Sequence, residues 1–378
     1  MKTKLIFVAG LSCFTPAQAF AAPKPLTTPD WTVQAAFNLS VPRAAHQATL
    51  LSEALVLVTG GCSGSGCSPV ERSAELFHTS TGRTEITPPM REARVAHMAA
   101  LLKDGRVLVA GGWTGNQTTA SAEFFDPGTR TFTPAAAMLS ARMDATATPL
   151  TDGSILLTGG ASAVNNALSQ AEVFDLNKGR FVATGPMHQA RAHHAAARLP
   201  DGRVLVIGGL HKRQLATATA ELYNPATNTF SQTGAMRHAR CKHGAVPLQD
   251  GRVMVIGGSR NCEEQHRIAQ TEIYDPDTGR FSEGPSLLNP RYKIVTATTV
   301  LPSGDVVVVG DAKDVEIWTP GAAAFVKAVG SIGNRLAFST ATPLSGGKVL
   351  VLGGYDNHIR PTAQSWLVYR KNQADTSD

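Results

Sequence analysis

Val204-Leu205-Val206-Ile207-Gly208-Gly209 is a short apolar run closed by a glycine pair, and it has close copies along the whole chain. They are Leu55-Val56-Leu57-Val58-Thr59-Gly60-Gly61, Val107-Leu108-Val109-Ala110-Gly111-Gly112, Ile155-Leu156-Leu157-Thr158-Gly159-Gly160 and Val253-Met254-Val255-Ile256-Gly257-Gly258. Two more follow, Val306-Val307-Val308-Val309-Gly310-Asp311 and Val349-Leu350-Val351-Leu352-Gly353-Gly354. Successive first glycines are 51, 48, 49, 49, 53 and 43 residues apart. A period of this size marks one supersecondary unit repeated seven times, not a string of unrelated domains. Apolar side chains at consecutive strand positions mean burial on both faces, which a sheet sandwiched between two others supplies.

Outward from each run, the rest of a four-strand unit is readable. Ahead of it stand Asp104-Gly105, Asp152-Gly153, Asp201-Gly202 and Asp250-Gly251, tight hairpin signals. Before those turns lies a strand of small residues, as in His97-Met98-Ala99-Ala100 or Ala145-Thr146-Ala147-Thr148, suited to crowding near an axis. After the run comes a third strand, Ala122-Glu123-Phe124-Phe125, Ala171-Glu172-Val173-Phe174 or Ala220-Glu221-Leu222-Tyr223, ending in turns such as Asp126-Pro127-Gly128 and Asp275-Pro276-Asp277. A fourth strand starts near Phe132, Phe181, Phe230, Phe281 or Phe325, each ten residues before Arg142, Arg191, Arg240, Arg291 or Arg335.

The double glycine, the third-strand aromatic, the large fourth-strand residue and the Arg-led start of the next unit resemble the kelch repeat, over residues 31 to about 370. Departures are Gly310-Asp311 with a short connection to Val315, Phe where the family often has Trp in strand four, and Thr84 in place of Phe in the first unit. The resemblance implies an all-β, seven-bladed kelch-like β-propeller. The last unit ends at Val368-Tyr369 without a fourth strand, while Trp31 to Leu39 precedes the first unit as an orphan. Leu39 stands four residues before Arg43, as Met138 does before Arg142, so the N-terminal strand is expected to pair with the last blade and close the ring. The alternative, an open solenoid, would leave an unpaired apolar strand at each end. One propeller domain over 23–370 and a flexible tail at 371–378 result.

Residues 1–22 read as a signal peptide: Lys2 and Lys4, an apolar run from Leu5 to Phe14, then Ala17, Ala19, Ala21 and Ala22. The run is too short to span a bilayer, which takes about 20 residues. A periplasmic or secreted protein is expected, and lipoprotein anchoring through Cys13 ranks second. Loss of the leader removes Cys13 and leaves Cys62, Cys67, Cys241 and Cys262. In an oxidising compartment their spacing favours Cys62 with Cys67 and Cys241 with Cys262, against free thiols or zinc. The net charge of +6 is thinly spread, without a block of five like charges, so nucleic-acid binding is not suggested.

Long variable loops, Cys62 to Arg72, Trp113 to Thr119, Ala161 to Ser169, Leu210 to Thr217 and Ser259 to Ala269, fall on one face, the default binding surface of a rigid scaffold. Residues there outside the repeat pattern are the ligand candidates: Trp113, Asn116, His211, Arg213, Arg260, Glu263, His266 and Tyr355. The same face is expected to carry a ring of Arg43, Arg94, Arg142, Arg191, Arg240, Arg291 and Arg335 at the channel mouth. It could attract anions, but Glu75, Glu123, Glu172, Glu221, Glu272 and Glu316 offer a partner in most units, and a group repeated in every unit usually serves the unit. His46, His97, His194 and His243 follow their arginines by three residues, with Ala145, Ile294 and Phe338 at that place elsewhere, and packing outweighs metal binding.

No zinc-protease, phosphate-loop or serine-hydrolase motif occurs, and no cofactor or metal is expected. The expected function is therefore a protein- or glycan-binding module, a monomer that engages its partner through the long-loop face. Two enzyme analogies remain at the level of fold. One is a sialate mutarotase-like isomerase, and the other, weaker, is a galactose-oxidase-like copper enzyme drawing on Tyr292, Cys241, His194 and His243.

Overall fold

The computed structural model describes residues 30–163, 166–211 and 215–371; the expected leader, Arg213 and residues 372–378 of the expected tail lie outside them. Seven four-stranded antiparallel sheets form the blades of a propeller. In six of them the sheet order follows the chain order. In the seventh, Trp31–Ala35 lies outside Ser365–Arg370, which is followed inward by Lys348–Leu352 and Thr340–Leu344. Trp31 is opposite Arg370 and Ala35 opposite Trp366. Each innermost strand touches the next, and Thr340–Leu344 touches Gln47–Ser52 of blade one.

The apolar second strands are buried because they lie between neighbouring blades. Along Leu55–Thr59, Val56 and Val58 pack with Leu350 and Leu352 of blade seven, while Leu57 packs with Val107, Val109 and Phe125 of blade two. Alternate side chains thus enter cores on opposite sides of one sheet. The aromatic pattern has an equally local cause: Phe125 meets Phe132, Phe174 meets Phe181, Tyr223 meets Phe230 and Tyr274 meets Phe281 across strands three and four, with ring centroids 4.9–5.1 Å apart.

The glycine pair joins blade to blade. At Gly111 the backbone has φ of 66°, and a Cβ would stand 2.4 Å from the Arg142 carbonyl oxygen. Gly112 then donates its N–H to that oxygen at 2.9 Å. The same bond runs from Gly61 to Arg94, Gly160 to Arg191, Gly209 to Arg240 and Gly258 to Arg291, and from Gly354 back to Arg43 at 2.8 Å. In blade six Asp311 donates to Leu336, not to Arg335.

That bond corrects the expected arginine ring. Leu336 occupies the position held by arginine in the other six blades, and Ser339, not Phe338, corresponds to the histidines. The ten-residue spacing from Phe325 fails because the connection after the fourth strand is one residue longer, Ala328 and Ile332 making the backbone bonds that Ala135 and Met138 make in blade two. Arg335 bonds Asp311 and Glu264 instead.

The other six arginines are not displayed on the loop face. Arg43–Glu75, Arg94–Glu123, Arg142–Glu172, Arg191–Glu221, Arg240–Glu272 and Arg291–Glu316 are ion pairs whose arginine side chains are at most 1% exposed. Arg142 shows the design: it donates to the carbonyls of Gly159 and Gln170 and to Glu172, whose other oxygen accepts the N–H of Leu139. One ion pair therefore fastens the entering chain, the end of strand two and the start of strand three.

Arg142→Met strands the Glu172 carboxylate in the interior, and stability is expected to fall by about 3–5 kcal/mol. Arg252→Gln, which breaks the half-exposed pair with Asp250, is expected to change it by no more than about 1 kcal/mol. Urea unfolding of the two variants checks the contrast.

Candidate functional site

Two residues after each blade-entry position, arginine in six blades and Leu336 in the seventh, the chain turns through left-handed backbone. The seven residues are Ala45, Ala96, Asp144, His193, Lys242, Lys293 and Phe338, with φ between 51° and 60°. For residues with a Cβ this conformation is strained by about 1–2 kcal/mol each, and such strain gathers where a structure holds a specific shape. Here hydrogen bonds offset it. Ala96 donates to Ala45, Asp144 to Ala96, His193 to Asp144, Lys242 to His193, Phe338 to Lys293, and Ala45 to Phe338, at 2.9–3.2 Å. Between Lys242 and Lys293 the step is made by Ile294, which donates to the Lys242 carbonyl at 3.2 Å. A backbone ring thus encircles the axis.

Five residues of this ring border the channel. A cavity of about 60 Å³ at the mouth is lined by Ala45, Ala96, Asp144, His193 and Phe338 among others. Beneath it, and sharing Gln47, His97, Ala145, Val295 and Thr296 with it, lies one of about 200 Å³ bounded by small first-strand residues such as Ala99, Ala147 and Ala196.

Charge and aromatic surface are concentrated on one side of the mouth. His193 Nδ1 lies 3.2 Å from Asp144 Oδ1. Lys242 Nζ is 5.5 Å from the Tyr292 ring centre, and Lys293 Nζ is 4.9 Å from Tyr292 and 5.3 Å from Tyr355. Both ammonium groups are 5.9 Å from the Phe338 ring, which packs against Tyr355 at 5.8 Å. These are cation–π distances. Burial pulls the Lys242 ammonium below its usual value, aided by Lys293 and opposed by Asp144. Burial pushes the Asp144 carboxyl up, but His193 and Lys242 outweigh it and hold the group below its ordinary value. For Lys293, burial is outweighed by Tyr355 and Tyr292, which hold the ammonium above its usual value.

The sequence-derived candidates are scattered relative to this cluster. Tyr355 belongs to it. Trp113 is half-buried, bridged to Val95 and Thr118, with Asn116 exposed at the same loop. His211 is half-buried and its Nδ1 lies 3.1 Å from the Ala190 carbonyl. Arg260, Glu263 and His266 are exposed on the loop that follows the second strand of blade five. Asp144, His193, Lys242, Lys293 and Phe338 were not among the ligand candidates, although the first four stand visibly two residues after an arginine.

Both expected disulfides, Cys62–Cys67 and Cys241–Cys262, are present. Tyr292 donates its hydroxyl to the Cys262 carbonyl at 3.0 Å, tying the disulfide loop to the mouth. Of the residues in the copper analogy, Cys241 is thus in a disulfide and Tyr292 is bonded to the Cys262 carbonyl. Among the described residues no group of three or more His, Cys, Asp or Glu is placed to hold a metal ion. The histidines His46, His97, His194 and His243 are buried. His97 Nε2 is 2.9 Å from Thr59 Oγ1, His194 Nε2 is 3.0 Å from Thr158 Oγ1, and His46 Nε2 is 3.2 Å from Thr340 Oγ1.

The kelch motif matches residues 94–139 and 240–288, which are the second and fifth repeat units with their leading arginines. No curated protein matches the chain significantly.

Burial, reinforced by the neighbouring arginines, holds His46, His97 and His243 down to about 3 from 6.5. The unfolded chain therefore binds more protons between those values, and stability falls as the pH drops from 6.5 toward 3. Asp311 acts oppositely: burial raises it to about 6, so its contribution is lost as pH rises from 3.8 toward 6. Three histidines outweigh one aspartate, and net acid destabilisation is expected. The neighbours that pair with each other beside His243 are Ala195 and Ile207, which carry no hydroxyl. His243→Leu should therefore preserve stability at pH 7 and flatten the acid slope by up to about 1.4 kcal/mol per pH unit. Urea midpoints at pH 7 and pH 5 decide it.

Proposed function

Because the chain is a kelch-repeat β-propeller, we propose that it acts as an exported binding module whose partner, a protein or a glycan, docks on the long-loop face. The observation that carries this reading is the placement of the disulfides. Cys62–Cys67 lies within the loop after strand two of blade one, and Cys241–Cys262 ties the start of blade five to the equivalent loop. Stapled loops have less freedom to lose on binding, so the staples favour recognition by that face. Disulfides also suit an oxidising compartment, in keeping with the leader-like residues 1–22 and a periplasmic or secreted location. Among the described residues no helix is long and apolar enough to cross a membrane. The module works as a monomer, without cofactor.

A sugar-active isomerase is the second reading, favoured by the Asp144–His193 pair beside the channel, which could move a proton. Turnover of a sugar panel that disappears in His193→Gln would favour the isomerase over the binding module.

Replacing residues 259–269 with a short glycine–serine loop, or Trp113 with alanine, is expected to abolish partner capture by purified protein on glycan arrays or in crosslinked pull-downs. The melting temperature of the Trp113 variant should stay near that of the parent. Capture that survives both changes would move the contact surface elsewhere.

A further inference from the structure

The axial cluster has a chemistry of its own. Lys242 and Lys293 come from adjacent blades, and both ammonium groups face the same two rings, Tyr292 and Phe338. Among the described residues neither ammonium has a carboxylate within ion-pair distance, while the one rim carboxylate, Asp144, is already engaged by His193. Next to them Arg267, Asp311, Arg335 and Glu264 form a network that is neutral in itself. Lys242 and Lys293 set two ammonium groups at the rim against the one carboxylate of Asp144. That balance suits a monoanion better than a phosphate dianion.

We propose that the channel mouth binds a small free monocarboxylate with a planar or aromatic body, its carboxylate between Lys242 and Lys293 and its body against Phe338 and Tyr355. Three observations carry this. The two like charges are held together in a half-buried setting, where an intervening anion removes their repulsion. Their backbones are fixed by the axial ring in a conformation that repeats at every blade, so the points from which both side chains project are set before any ligand arrives. The rings of Phe338 and Tyr355, 5.8 Å apart, give a flat organic body an apolar wall beside the charge. Six of the seven rim residues spend their backbone N–H on the ring itself, which makes the lysine ammonium groups the charged donors of the site. Ammonium groups act as point charges and do not impose the bidentate geometry of arginine, so carboxylates of varied shape fit. This inference does not depend on the loop-face partner, whose absence would leave it standing.

Benzoate is the probe, with benzamide as its neutral counterpart and inorganic phosphate as the competing anion. Calorimetry on the oxidised full domain is expected to show benzoate binding at least about tenfold tighter than benzamide or phosphate. Lys242→Gln with Lys293→Gln should weaken benzoate by about tenfold or more, while Lys348→Gln, far along the chain in a second strand, leaves it unchanged. Should the double variant fail to fold, reductive methylation of the unaltered protein supplies the answer: benzoate should slow modification of Lys242 and Lys293 but not of Lys348. Benzoate binding no tighter than benzamide, a double variant that binds like the parent, or methylation of the two lysines unaffected by benzoate would each overturn the proposal.

Discussion

The rest of the molecule depends on one hydrogen bond repeated around the axis, from the N–H of the second glycine to the backbone carbonyl of the arginine that starts the next blade. It requires a backbone without Cβ at the first glycine of the pair, where the next blade's carbonyl approaches too closely for a side chain. It also requires the arginine to be held still, and the buried glutamate does that by gripping the guanidinium on one side and the entering chain on the other. Desolvating six such pairs gains little net stability, since each removes two charges from water. What they provide is register: a one-residue slip would leave a carboxylate and a guanidinium unpaired in a dry interior.

The bond links each blade to its successor, and the link from Gly354 to Arg43 joins the end of the chain to its beginning. With Trp31–Ala35 paired to Ser365–Arg370, the last sheet contains both ends of the described chain. The backbone ring at Ala45, Ala96, Asp144, His193, Lys242, Lys293 and Phe338 is a consequence. Once seven carbonyls are fixed at equal intervals, the residues two positions later are drawn together at the axis and bond to one another. Their side chains are free of the packing rules that govern the blades, which is why charged and aromatic residues can accumulate there.

The architecture was legible because the constraint acts identically seven times, so glycines, acids and aromatics recur at fixed offsets. Reading failed where a unit departs from the others. Arg335 was counted into the ring by its distance from Phe325, but the connection between Ala328 and Ile332 in blade six is one residue longer and places Leu336 there. The axial cluster was illegible for a different reason. Ala, Ala, Asp, His, Lys, Lys and Phe share a backbone conformation and no chemical type, and a search for repeated residues passes over them. Of the cluster, only Tyr355 stood among the ligand candidates, as a residue foreign to the pattern, while Tyr292 entered through the copper analogy. Variation at one fixed offset within a strict repeat was the available signal.

Native-state hydrogen exchange at the amides of Ala45 and Gly354 tests the closed ring most directly. Both N–H groups join the first blade to the last, donating to Phe338 and Arg43. The account predicts that they exchange as slowly as the amide of Val206, deep in a second strand, opening only with global unfolding. Fast exchange at Ala45 and Gly354 while Val206 stays protected would mean that the first and last blades part freely, and would contradict it.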